Sequence, residues 1–126
     1  TTAGHVTPEP SRKEQAMRLH ATQGANTTIA IVATDAPLTK TQCHRLAVTA
    51  HDGMARAILP SHTPLDGDLV FGVATGEGPS VDQTQFRGIA AAGAVCLSRA
   101  IACGVYDAAT APSDLLPTYK DMNGLE

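Results

Sequence analysis

The run Thr28-Ile29-Ala30-Ile31-Val32-Ala33-Thr34, stopped by Asp35-Ala36-Pro37, is apolar without alternation and rich in β-branched residues. It predicts a strand buried on both faces, since a strand with one solvated face would alternate apolar and polar side chains. A second run of the same kind, Leu69-Val70-Phe71-Gly72-Val73-Ala74-Thr75, is closed by Gly76-Glu77-Gly78-Pro79. Between them, Thr39-Lys40-Thr41-Gln42 has the form of a capping box, followed by Cys43, Leu46, Ala47, Ala50, Met54, Ala57 and Ile58 at intervals of three and four, up to Pro60. That spacing places one apolar face on a helix. His44, Arg45, His51, Asp52 and Arg56 mostly fall off this face and read as a solvated surface. A second long helix, from about Gln83 to Cys103, is rich in small residues that allow close backbone approach, among them Ala90, Ala91, Ala92, Gly93, Ala94 and Ala100. The order strand, helix, strand, helix is an α/β pattern. Two doubly buried strands do not make an independent sheet, so further strands must come from another segment or chain.

Composition bounds the function. The 126 residues are one domain's worth, 43% apolar and 17% charged, as in a globular protein. Nine Lys and Arg against 12 Asp and Glu give 9 − 12 = −3, and the basic residues are scattered, so no nucleic-acid partner is expected. Aromatic residues make up only 3%. A core of Ala, Val, Leu and Ile buries little area per residue at roughly 25 cal/mol per Å², which again predicts packing against a partner. Cys43, Cys96 and Cys103 form no CxxC pair, and their odd number points to a reducing, cytoplasmic setting, with Cys96 and Cys103 expected in the core. The most apolar stretch, Ile89 to Val105, contains Ser98 and Arg99 and is shorter than the roughly 20 residues of a membrane span, so no membrane association is expected. Residues 1–26 read as a polar linker or arm with a short helix near Ser11 to His20 and no secretory leader, residues 27–126 as the folded portion, and the tail from Asp107 as irregular.

Two places carry candidate chemistry. At Asn26-Thr27-Thr28 a polar arm meets the first strand. Cleavage before Thr27 would give that residue both a hydroxyl and a free α-amine, whose pKa of roughly 7.7–8.0 suits it to accept the hydroxyl proton. The same threonines also suit the plain role of β-formers opening a strand. At Asp66-Gly67-Asp68, two carboxylates flank a glycine. A turn conformation at Gly67 would let them converge, share a proton and orient a nucleophile, although the tripeptide also suits a plain turn before a strand. His62, Asp66 and Asp68 lack the spacing of a calcium loop or a zinc site, so no metal is expected. The glycines between Gly72 and Gly78 spell no nucleotide fingerprint, and no cofactor is implied.

Taken together, the blocks from Asn26 to Leu38, His51-Asp52-Gly53-Met54-Ala55-Arg56-Ala57-Ile58, and His62-Thr63-Pro64-Leu65-Asp66-Gly67-Asp68 resemble the DmpA-type L-aminopeptidase/D-esterase family, which includes the endo-type nylon-oligomer hydrolases. The resemblance runs from about Gly24 to Tyr119 and matches the C-terminal third or so of a family member. It implies a self-processing hydrolase cut at Asn26-Thr27, with Thr27 as N-terminal nucleophile and Asp66 and Asp68 beside it. The Asn-Thr-Thr junction is similar to the threonine branch, which acts on nylon-type oligomers, without excluding aminopeptidase action on short peptides. The implied fold is a four-layer αββα sandwich with Ntn-hydrolase-like layering and DmpA-type connectivity. The implied partners are the larger N-terminal segment of the same precursor, which supplies a lysine and an asparagine to the site, and further copies in a homo-oligomer. The competing expectation is a non-catalytic or unprocessed fragment that serves as an assembly subunit.

Overall fold

The computed structural model describes Ser11 and residues 27–112, 114 and 116–125. Asn26 and the expected helix near Ser11 to His20, Ser11 apart, lie outside the described residues. The chain divides into two compact units, one comprising residues 25–107 and one that includes residues 108–126.

In the first unit, strand β1 (Ile29–Thr34), helix α1 (Lys40–Ala57), strand β2 (Leu69–Ala74) and helix α2 (Gln83–Asp107) follow in order. The strands pair in parallel, with Ile29 opposite Leu69 and Thr34 opposite Ala74. The expected α/β alternation is present, joined by parallel pairing.

Helix α1 begins where its capping box predicts: the Gln42 N–H donates to Thr39 Oγ1 at 3.2 Å, and the Thr39 N–H donates to Gln42 Oε1 at 2.9 Å. The Gln42 amide also donates to the Val81 carbonyl at 3.0 Å, tying this end to the loop before α2. Helix α2 has a box of its own, Asp82 with Gln85, at 3.0 and 2.8 Å. Of the predicted α1 face, Leu46, Ala47, Ala50 and Met54 are buried and Cys43 and Ile58 half-buried, whereas Ala57 is exposed in the last turn. The buried side chains join Val32, Val70 and Leu97 in one core, with Ala30, Leu38, Phe86, Ile89 and Ile101 against it.

The two helices cross at close range because small residues meet there. A Cβ placed on Gly53 would lie 2.8 Å from the carbonyl carbon of Ala94, and one on Gly93 would lie 2.8 Å from Leu46 Cδ1. In the same way, Gly72 of β2 lets the backbone of Cys43 approach the sheet.

Three features of this chain, taken by itself, differ from the expectations. The strands are covered on one face only: Val32 and Val70 point into the core, while Ile29 and Ile31 are 67% and 66% exposed and Leu69, Phe71 and Val73 are also exposed. The helices of this unit pack on a single side of the sheet, so the unalternating sequence leaves an open apolar face. Cys96 and Cys103 are exposed free thiols, because the α2 stripe that faces the core is Ala90, Gly93 and Leu97. Helix α2 also runs four residues past Cys103, and its 25 residues are long and apolar enough to cross a membrane by length and composition alone. Here that stripe packs into the core.

The second unit corrects the irregular tail. Helix α3 (Tyr119–Asn123) is framed by a capping box between Thr118 and Asp121 and ends at Gly124, whose φ of 63° is the left-handed conformation glycine accepts without a steric penalty.

Candidate active site

The parallel pairing of β1 with β2 brings the two candidate motifs together. Thr27 lies just before β1, Asp66-Gly67-Asp68 immediately precedes β2, and the Leu69 N–H donates to the Thr28 carbonyl at 2.9 Å. Thr27 lies against Gly67 so closely that a Cβ there would be 2.8 Å from Thr27 Oγ1 and 3.5 Å from its Cγ2. The positive-φ glycines among the described residues are Gly78 and Gly124, so what Gly67 provides here is room for the Thr27 side chain rather than a left-handed turn.

The carboxylates flanking Gly67 take different partners. Asp68 reaches back to the strand entry, where Oδ1 accepts the Thr28 N–H at 3.0 Å. Its Oδ2 accepts the His62 N–H at 3.1 Å and lies 2.9 Å from His62 Nδ1. Asp66 turns into its own loop: its Oδ2 accepts from both the N–H and the hydroxyl of Thr63, each at 2.8 Å, and its N–H donates to the Thr63 carbonyl at 2.9 Å. The expected convergence on a shared proton thus gives way to two separately satisfied carboxylates, because the chain between Thr63 and Asp66 closes as a hydrogen-bonded turn.

The electrostatics of Asp68 follow from these contacts. Desolvation favours its neutral form, but the N–H groups of His62 and Thr28, the favourable electrostatics of the nearby His62 ring and the Thr28 side chain together outweigh it. The carboxyl therefore ionises below the usual aspartate range. Since the folded pKa is depressed, its stabilising contribution is complete above the ordinary carboxylate range and is lost as pH falls through the lower folded value. We expect urea midpoints of wild type and Asp68→Asn, compared from about pH 7 to about pH 2, to differ most near neutrality and to converge in acid. A gap that is constant across this range would contradict the assignment.

Two histidines that sequence reasoning does not place at the site belong to the same cluster. By spacing alone His62 is a rejected metal ligand and His51 a solvated helix residue. Yet His51 Nδ1 lies 3.3 Å from His62 Nε2, with the rings edge to face at a centroid distance of 4.8 Å. The one signal in the sequence is that His51 opens one of the family-like blocks and His62 opens the next. No group of three metal-ligating side chains is assembled among the described residues. A groove between α1 and α2, lined by Arg45, Thr49, Gln83, Phe86 and Arg87, shares no residue with this cluster.

The profile of peptidase family S58 matches residues 2–114. The chain belongs to peptidase family S58. An uncharacterized aminopeptidase of Mycobacterium tuberculosis (strain ATCC 25618 / H37Rv) is 44% identical over 108 residues, covering 77% of this chain and 31% of that protein. Its counterpart in Mycobacterium leprae (strain TN) is 41% identical over 108 residues, covering 77% of this chain and 29% of that protein. A 6-aminohexanoate-oligomer endohydrolase of Kocuria sp. (strain KY2) is 39% identical over 56 residues, covering 44% of this chain and 16% of that protein. The chain thus spans about a third of the length of its mycobacterial S58 relatives.

Proposed function

We propose that this S58 chain is the nucleophile-bearing portion of a self-processing amide hydrolase, with Thr27 as the N-terminal nucleophile after cleavage of the Asn26-Thr27 bond. The observation that carries this reading is the contact of the Thr27 side chain with Gly67, between Asp66 and Asp68. In maturation the Thr27 hydroxyl oxygen attacks the Asn26 carbonyl carbon, the C–N bond breaks as the Thr27 nitrogen takes up a proton, and the resulting ester is opened by water. The products are an Asn26 carboxylate and a free Thr27 α-amine. In turnover that amine accepts the hydroxyl proton as the oxygen attacks a substrate amide; the leaving amine departs protonated, and water releases the acyl group.

Asp68, bonded to the N–H of the next residue, orients the start of the strand and presents negative charge near the new ammonium group. Asp66 holds the loop on which Gly67 and Asp68 ride. The substrate class is linear amides, either 6-aminohexanoate oligomers or short peptides and amino-acid amides, by similarity to the named relatives.

The open sheet face of Ile29, Ile31 and Phe71 supports a second layer supplied by a larger segment of the same precursor, which would complete a four-layer αββα sandwich and contribute the lysine and the oxyanion-binding asparagine implied by the family resemblance. By the same resemblance such paired chains form a homo-oligomer, and an odd number of cysteines without a CxxC pair suits a cytoplasmic setting.

Intact mass and N-terminal sequencing of the mature full-length protein test the reading. A fragment beginning at Thr27 is expected. A bond that stays closed on prolonged incubation would favour an assembly subunit without catalysis, in which the Asp68 and Asp66 contacts serve only to fix the loop.

A further inference from the structure

Asp68 is the hub of a chain of side chains that runs from the strand entry to helix α1. Both of its oxygens accept N–H groups, Oδ1 from Thr28 and Oδ2 from His62, as an ionised carboxylate does. Since such a carboxylate only accepts, the His62 Nδ1 at 2.9 Å from Oδ2 carries the hydrogen. In the neutral ring Nε2 is then bare, and the His51 Nδ1 facing it at 3.3 Å must be the donor. One carboxylate thereby fixes the tautomers of two imidazoles.

The backbone of His62 adds an independent observation. Its φ of 56° makes it the positive-φ non-glycine residue among those described, a conformation that persists where surrounding contacts hold it. In that conformation the backbone N–H and the ring Nδ1 converge on the same oxygen, Oδ2. With Oδ2 held twice from one side, Oδ1 is left aimed at the Thr28 N–H, one residue from the nucleophile. The Asp68 side chain is only 6% exposed, so water is a poor substitute for the imidazole.

We infer that His62 is a positioning residue that locks the Asp68 carboxylate against the entry of β1, with His51 anchoring the His62 ring from helix α1. The inference rests on the proposed function, because the group being positioned is the carboxylate beside Thr27. His62 itself touches no reacting atom.

The test compares His62→Gly, which keeps the left-handed backbone and removes the ring, with His62→Asn, which tolerates the same backbone and restores a side-chain N–H donor. Both are made in the full-length protein and assayed on L-alanine 4-nitroanilide and on a linear 6-aminohexanoate trimer. For His62→Gly, kcat on the substrate that wild type hydrolyses should fall about 10- to 100-fold with KM changed less than about 2-fold, and His62→Asn should recover most of that loss. His51→Phe keeps the ring packing without the donor and should cost less, about 3- to 10-fold. Nitrogen-15 NMR of the wild type should find His62 protonated at Nδ1 and bare at Nε2, a readout that needs neither turnover nor a variant. Unchanged kcat in His62→Gly, equal losses in the glycine and asparagine variants, or a His62 Nδ1 without hydrogen would each overturn the inference. Thr27→Ala separates it from the reading beneath: an active Thr27→Ala enzyme overturns the nucleophile, whereas an inactive one beside a fully active His62→Gly enzyme overturns only the positioning role.

Discussion

Thr27→Ala is expected to abolish both self-cleavage and amide hydrolysis, lowering kcat by on the order of 10⁴-fold or more, while the protein keeps its fold. The size of the effect follows from the chemistry asked of one residue. In the proposed mechanism Thr27 supplies the attacking oxygen in both reactions, and its own α-amine is the base in the second, so no other threonine of the described site combines the hydroxyl with that amine. The fold should survive because Thr27 precedes β1, is itself exposed, and its side chain meets the backbone at Gly67 rather than the core. Thr27→Ser, which retains an oxygen nucleophile, should process and turn over at a reduced rate. Mass spectrometry across the Asn26-Thr27 bond and steady-state assays on the two amide substrates give the answer. A Thr27→Ala protein that still cuts at this bond would remove Thr27 from the mechanism.

Gly53→Ala should destabilise the chain by about 3 kcal/mol or more, against the usual sign for this substitution in a helix. By intrinsic propensity, alanine in place of a helical glycine is favourable by about 1 kcal/mol. At Gly53 the added methyl would stand 2.8 Å from the carbonyl carbon of Ala94 and closer still to its oxygen. Both are backbone atoms of α2 and cannot swing aside, so the helices must separate and loosen the core around Leu46, Ala50 and Met54. Gly88 of α2, where an added methyl would meet nothing within 4 Å, is the control: there alanine should be neutral or stabilising by up to about 1 kcal/mol. Urea midpoints of the two variants against wild type decide the matter, and a Gly53→Ala protein as stable as Gly88→Ala would mean that the crossing is looser than this geometry.

The elements were legible because their signals are local. The β-branched runs at Thr28 to Thr34 and Leu69 to Thr75 mark the strands, and the Thr39/Gln42 box with the spacing of Leu46, Ala47, Ala50 and Met54 marks α1 and its buried face. Capping at Asp82/Gln85 and Thr118/Asp121 is equally local yet escapes notice in the sequence. Their residue patterns, Asp-x-x-Gln and Thr-x-x-Asp, resemble ordinary loop composition until a helix is seen to follow.

The candidate site divides in the same way. Thr27, Asp66 and Asp68 stand out by residue type and by similarity of their blocks to one family. That Asp68 rather than Asp66 reaches β1 depends on a contact between residues 40 apart, Thr28 and Asp68, and arises only when parallel pairing sets the two strand entries side by side. Tertiary placement likewise hid His51 and His62, which join the cluster through ring orientation and a left-handed backbone that no periodicity encodes.

By itself, then, the sequence determined which segments are strands and helices and which side chains can do chemistry, since propensity, capping and apolar spacing act over a few residues. The tertiary structure decided which sheet face stays open, how closely Gly67 approaches the Thr27 side chain, and which carboxylate is held at the strand entry. Those outcomes depend on the distance between atoms far apart in the chain, which packing of α1 and α2 on a single side of a two-stranded parallel sheet fixes.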